Sequence, residues 1–89
     1  MTLERLVSKY IKTAERVFTE ITISDAVSSI DKEKIEGIVE QAKRYLEDAK
    51  YYQQRKRLET SLASVSYCEG LLDALRMLEV AKFSWPARK

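Results

Sequence analysis

Apolar residues return at three- and four-residue intervals from the start of the chain. Leu3, Leu6, Val7, Tyr10, Ile11, Ala14, Val17, Phe18 and Ile21 fall on one stripe when each residue is set about 100° further round a helix. Glu4, Arg5, Ser8, Lys9, Lys12, Thr13, Glu15, Arg16, Thr19 and Glu20 occupy the other faces. This separation predicts an amphipathic helix over residues 3–21. Thr2 stands where its hydroxyl can accept from a free amide of the first turn.

The pattern breaks from Thr22 to Ile30. Thr22 and Ile23 are β-branched, and Ser24-Asp25 and Ser28-Ser29 favour turns and caps. A connector is expected here, with a helical turn near Ala26 to Ser29 and with Ile23, Val27 and Ile30 tucked over the bundle end. Asp31 suits the N-cap of a second helix over residues 32–53, and Glu33 its first turn. Ile35, Ile38, Val39, Ala42, Tyr45, Leu46, Ala49 and Tyr52 form its stripe. The outer faces offer Lys32–Glu36, Glu40–Arg44, Lys43–Glu47 and Arg44–Asp48, each contributing about 0.2–0.5 kcal/mol. Gly37 lies on the solvent side.

The stretch Gln53-Gln54-Arg55-Lys56-Arg57 holds neither Gly nor Pro, so a single rod to Val80 is conceivable. The register argues against it. Continuation would bury Gln53, Lys56, Arg57 and Thr60, while Leu58, Leu62, Val65 and Leu72 would lie nearly opposite the stripe. A reversal restores consistency, and the cations suit a helix C-terminus. The third helix then runs over residues 58–80, with a broad apolar surface from Leu58, Leu62, Val65, Tyr67, Cys68, Leu71, Leu72, Leu75 and Leu78. Ala63, Ser66, Gly70 and Ala74 lie near one line along it, a spacing that lets another backbone come close. Pro86 disfavours helix at Trp85, so residues 81–89 are expected to form an irregular tail. The fold class is all-α: one domain, an up-and-down three-helix bundle with short connectors.

Composition supports this and narrows the chemistry. At 89 residues the chain is sized for one domain, and two Gly and one Pro argue against a turn-rich β fold. A net charge of +2 neither implies nor excludes an anionic partner. The single Cys68 cannot close an internal disulfide and fits a reducing compartment. The opening residues lack a signal-peptide pattern, and no run approaches the roughly 20 apolar residues of a membrane span. A cytoplasmic protein without membrane contact is expected. There is no His, which removes the usual base near neutral pH and the commonest metal ligand. One Cys and no His exclude Cys/His zinc sites within one chain. No cofactor, no metal and no catalytic residue is expected.

The block Leu62-Ala63-Ser64-Val65-Ser66-Tyr67-Cys68-Glu69-Gly70-Leu71-Leu72-Asp73-Ala74-Leu75-Arg76 resembles the signature of an archaeal family, domain of unknown function 357. Glu15 to Phe18, Ala42 to Tyr52 and Phe83-Ser84-Trp85 are similar to it as well, so the resemblance spans most of the chain. It implies a small three-helix bundle from an archaeon, without an assigned activity. Some relatives carry the domain beside a nucleotidyltransferase-like domain, for which this sequence has no counterpart. The family often has Gly in the turn before the third helix; Gln53 to Arg57 has none. The Lys/Glu/Arg/Ile-rich composition agrees with a heat-adapted source.

Each candidate site has two readings. Tyr67, Gly70 and Asp73, three apart on one helix, form either a recognition patch or a packing feature in which Gly70 admits a helix and Asp73 holds a buried donor. Arg5, Lys9, Lys12 and Arg16 form either an anion-binding stripe or a solvated face diluted by Glu4, Glu15 and Glu20. Tyr51, with Arg55, Lys56 and Arg57, carries the ring-plus-cation chemistry of single-stranded nucleic-acid binding, or simply ends a helix. Phe83 and Trp85 are either partner anchors or a tail folded over the bundle end. Cys68 reads as a small core residue. The leading expectation is a non-catalytic module that binds a protein partner or itself as a homodimer. A nucleic-acid-binding module is the alternative, and an enzyme comes third.

Overall fold

The computed structural model describes residues 2–25 and 29–85. Three helices account for most of them: α1 (Leu3–Glu20), α2 (Ser29–Gln54) and α3 (Leu58–Met77). They pack as an up-and-down bundle measuring 43 × 24 × 17 Å. The expected bundle is present, and α3 packs on both other helices.

Helix α1 begins as its sequence dictates. The Thr2 hydroxyl accepts the Arg5 N–H at 3.2 Å, and Val7, Ile11, Ala14 and Val17 are buried. Thr13 is buried too; its hydroxyl donates to the Lys9 carbonyl at 2.8 Å, which satisfies it. Helix α2 starts at Ser29, so Asp31 sits in its first turn and is not its N-cap. Its buried stripe is Ile35, Val39, Ala42, Leu46 and Ala49, whereas Ile38 reaches the surface. On its outer faces Lys43 pairs with Glu40 and Lys50 with Glu47, each at i,i+3. They replace the four expected i,i+4 pairs. Lys50 also bridges to Glu15 of α1 at 2.8 Å, and this hydrogen bond is the main reason its pKa is raised.

The reversal falls within the stretch that the register change marked. The Arg57 N–H donates to the Tyr52 carbonyl at 2.9 Å and the Lys56 N–H to Gln53 at 3.1 Å, with Lys56 at φ 63°. This is the paired-bond stop that helices commonly close with glycine, here closed by lysine. Helix α3 ends the same way, at Met77 and not Val80. The Val80 N–H donates to Leu75 at 3.1 Å and the Glu79 N–H to Arg76 at 3.0 Å, with Glu79 at φ 60°. Leu78 therefore caps the helix in solvent and does not join the core.

The tail is more ordered than expected. Ala81–Lys82 (β2) pairs antiparallel with Thr22–Ile23 (β1), Thr22 opposite Lys82 and Ile23 opposite Ala81. The Ser24 N–H extends the pairing to the Val80 carbonyl at 3.0 Å. Ile23 packs with Ile35, Val39, Leu75 and Ala81 at this end, as the connector reading required. Residues 26–28 of the turn expected near Ala26 to Ser29, the packing of Val27 and of the Ile30 side chain, and the tail from Pro86 onward lie outside the described residues.

Two polar contacts pin the helices along the other end. The buried Ser61 hydroxyl donates to the Ala49 carbonyl at 2.6 Å, joining α3 to α2. The Gln53 amide donates to the Ser8 hydroxyl at 2.9 Å, joining α2 to α1. Between the two ends the core runs through Val65, Cys68 and Leu72 of α3, all fully buried.

Candidate interaction surface

The core-facing residues of α3 are Ser61, Val65, Cys68, Leu72 and Leu75. Half a turn away lie Ala63, Ser66, Tyr67, Gly70, Ala74 and Met77, all exposed. A charge-free strip thus runs along the outer side of α3 in a chain with 34% charged residues. Tyr67 is 64% exposed, Met77 73% and Leu78 71%. The expectation that the small residues admit another helix of the same chain is corrected here. A Cβ built on Gly70 would meet nothing within 4 Å. Helix α3 is covered on its other side, where α1 and α2 both pack.

A groove of about 520 Å³ follows this strip between α3 and α2, lined by Gln41, Tyr45, Ala63, Ser66, Tyr67, Gly70 and Leu71. Tyr45 and Tyr67 form its wall, stacked with ring centroids 5.3 Å apart and planes 22° from parallel. Tyr67 therefore shields the outer edge of Tyr45 and leaves its own second face to solvent. Sequence reasoning assigned Tyr45 to the core and did not single out Met77 or Gln41. The available signal was the heptad spacing Ala63, Gly70, Met77, which places all three in line.

Asp73 does not belong to this patch. Its Oδ1 accepts the Trp85 indole N–H at 3.0 Å and the Arg76 Nε and Nη2 at 3.2 and 2.9 Å. The donor that the packing reading asked for is thus the indole of the tail. The Trp85 bond, then Arg76, holds the Asp73 carboxyl below its ordinary pKa. Phe83 meets Trp85 edge-on at 5.1 Å, and both rings pack on the main core. The Ser84 N–H donates to the Glu20 carboxylate at 3.0 Å. These contacts fold the aromatic pair onto the bundle.

At the α2–α3 turn the rings and cations engage one another. The Arg55 guanidinium lies 4.3 Å from the Tyr51 centroid, and that of Arg57 5.1 Å from Tyr52. The two tyrosines meet edge-on at 5.2 Å. Arg57 over Tyr52 takes the place of the apolar contact that usually closes such a helix stop. On α1, Arg5, Lys12 and Arg16 are exposed and Lys9 half-buried. Glu15, beside them, turns to Lys50 of α2. The Gln53–Ser8 bond sets the start of α1 beside the α2–α3 turn, so Arg5 shares an end of the bundle with Arg55, Lys56 and Arg57.

Cys68 is fully buried, and burial, with a smaller contribution from Glu69, pushes its thiol up to about 12. That is the behaviour of a core residue, far from that of an activated nucleophile. Among the described residues no group of three or more Cys, Asp or Glu is placed to hold a metal ion. None of the described helices is long and apolar enough to cross a membrane.

Taken together, the fold is a helical bundle that keeps one apolar, uncharged helix face uncovered. The chain belongs to a protein family of unknown function, DUF357, which matches residues 9–81. No curated protein and no solved structure matches it.

Proposed function

We propose that this chain is a non-catalytic interaction module whose contact surface is the outer face of α3. The observation that carries this reading is the position of Tyr67, Gly70 and Met77 in solvent, opposite the buried side of the same helix. Apolar side chains lined up on a solvent face cost hydration free energy in the free chain, and covering them recovers it at about 25 cal/mol per Å². Contiguous patches of this kind mark interfaces. Gly70 and Ala63 leave room for a partner to approach the α3 backbone, while Tyr67 offers a large ring of the sort enriched at interaction hot spots.

The test is affinity capture with tagged wild-type chain and tagged Gly70→Arg, both treated with nuclease. Gly70 is exposed with open space around it, so the arginine blocks the face without disturbing the core. The expected outcome is a protein partner held by wild type and lost by the variant. Identical capture by the two baits, or none by either, counts against the module.

Nucleic-acid binding is the second reading, and it rests on the cations of the α2–α3 turn. Guanidinium groups stacked on Tyr51 and Tyr52 occupy ring faces that bases would need. This arrangement favours the protein-binding reading. Salt-sensitive RNA binding that disappears on replacing Arg55 and Arg57 with alanine would reverse the ranking.

A further inference from the structure

We propose that the docked tail is exchanged between two copies of this chain, with Glu79 as the hinge, so that residues 81–85 of each copy occupy the other's seat. This goes beyond the interaction reading above and does not use the outer face of α3. The seat and its occupant are both on view in the single chain. Ala81–Lys82 pairs with Thr22–Ile23, the Ser84 N–H donates to Glu20 of α1, and the Trp85 indole donates to Asp73 of α3. The tail therefore spans the seam between α1 and α3, with Phe83 and Trp85 packed on the core. Each of these contacts forms in the same way with the tail of a second copy.

The hinge is built to open. Glu79 holds φ 60°, in the left-handed region that a side chain resists. Neither Gly nor Pro lies between Gly70 and Pro86, and Leu78, Glu79, Ala81 and Lys82 are of helix-forming types. The sequence period of α3 runs to Val80, yet the helix stops at Met77. Straightening the hinge keeps its hydrogen bonds in number. The Glu79 N–H passes from the Arg76 carbonyl to that of Leu75, and the Val80 N–H from Leu75 to Arg76. The strain at Glu79 is relieved as α3 lengthens, and short hinges under strain favour exchange of an element between copies.

Lys56 holds a similar φ at the α2–α3 turn. Opening there would part α2 from α3, which share the most extensive packing, whereas opening at Glu79 frees only the tail. The tail is therefore the element exchanged. Met77 and Leu78, both exposed, flank the hinge where the two crossing segments run past one another.

Thr22 and Lys82 face each other across the strand pair, and both are exposed. Opposed residues of an antiparallel pair lie about 4.5–5.5 Å apart at Cα, within the span of a disulfide. The test mixes full chains carrying Thr22→Cys alone with chains carrying Lys82→Cys alone. They are unfolded, refolded together at about 0.5 mM under reducing conditions, and oxidised with diamide once folded. The buried Cys68 stays out of that reaction. The expected product is a disulfide-linked pair holding one chain of each kind, in yield well above that of either variant refolded by itself. Sedimentation equilibrium of refolded wild type at the same concentration should give a mass approaching twice the 10.3 kDa of the chain. Glu79→Gly, which removes the strain of the closed turn and weakens the straightened helix, should lower the association constant at least about tenfold. Lys56→Gly, at the other positive-φ turn, should leave it unchanged.

A wild-type chain that stays strictly monomeric overturns the proposal, and this arm holds even where a variant folds poorly. A mixture that yields no more linked pair than its components alone overturns it too. Equal effects of the two glycine variants overturn Glu79 as the hinge.

Discussion

Lys56 and Glu79 both hold positive φ, at 63° and 60°. A non-glycine residue pays about 1–2 kcal/mol for the left-handed region, whereas glycine there costs about 0.5–1 kcal/mol of extra unfolded-chain entropy. The first term is the larger. Lys56→Gly and Glu79→Gly should each stabilise the chain by about 0.5–1 kcal/mol, read as a rise in thermal midpoint. Gly37 is the converse case. It sits inside α2, exposed, with nothing within 4 Å of a built Cβ, so Gly37→Ala should also stabilise by about 0.5–1 kcal/mol. The position of the reversal was legible in the sequence because the apolar register jumps at Gln53. That lysine itself would take the glycine position was not, since its conformation is set by the two closing hydrogen bonds and by Arg57 stacking on Tyr52.

Among the elements, the three helices followed directly from periodicity, and the short strands did not. Thr22 and Ile23 are β-branched, a local hint, but their partners Ala81 and Lys82 lie at the far end of the chain. Pairing of that kind leaves no trace in a periodic pattern. The outer face of α3 was left with two readings for a related reason. Periodicity shows which residues share a side; it does not say which of two apolar sides is covered. The docking of the tail depends on the Asp73 carboxylate, whose pKa is lowered in the folded chain. Its contribution is present above the unfolded value of about 3.9 and is lost as pH falls through the lower folded value. The fluorescence of Trp85, the single tryptophan, should report release of the indole as acid is added. Asp73→Ala should show the released signal already at neutral pH, with far-ultraviolet dichroism unchanged. A tail that stays docked in that variant would mean that Phe83 and the strand pair hold it without the carboxylate.

For the molecule as a whole, Cys68 is a built-in probe. Its thiol lies at about 12 and is fully buried in the centre of the bundle. A disulfide reagent at pH 8 should leave the folded chain almost unlabelled and label it completely in denaturant. The labelling rate should then follow global opening. The folded state holds this proton more tightly than the unfolded chain, so its share of stability is intact below the ordinary thiol value of 9.0. That share declines as pH rises toward 12. Labelling should therefore speed up steeply across that window, by more than thiolate formation in an open chain alone would give.

The Thr22–Lys82 pairing also bears on the order in which the bundle assembles. Helices α2 and α3 adjoin in sequence and share the most extensive packing. They can zip together after closing only a short loop, whereas the strand pair must bring together residues separated by most of the chain. Mutations at the Ala49–Ser61 contact should therefore slow folding, while mutations at Ile23 or Ala81 should chiefly hasten unfolding. The strand pair should then behave as a latch that shuts after the rods have met, and loosening it should shorten the time the bundle takes to open.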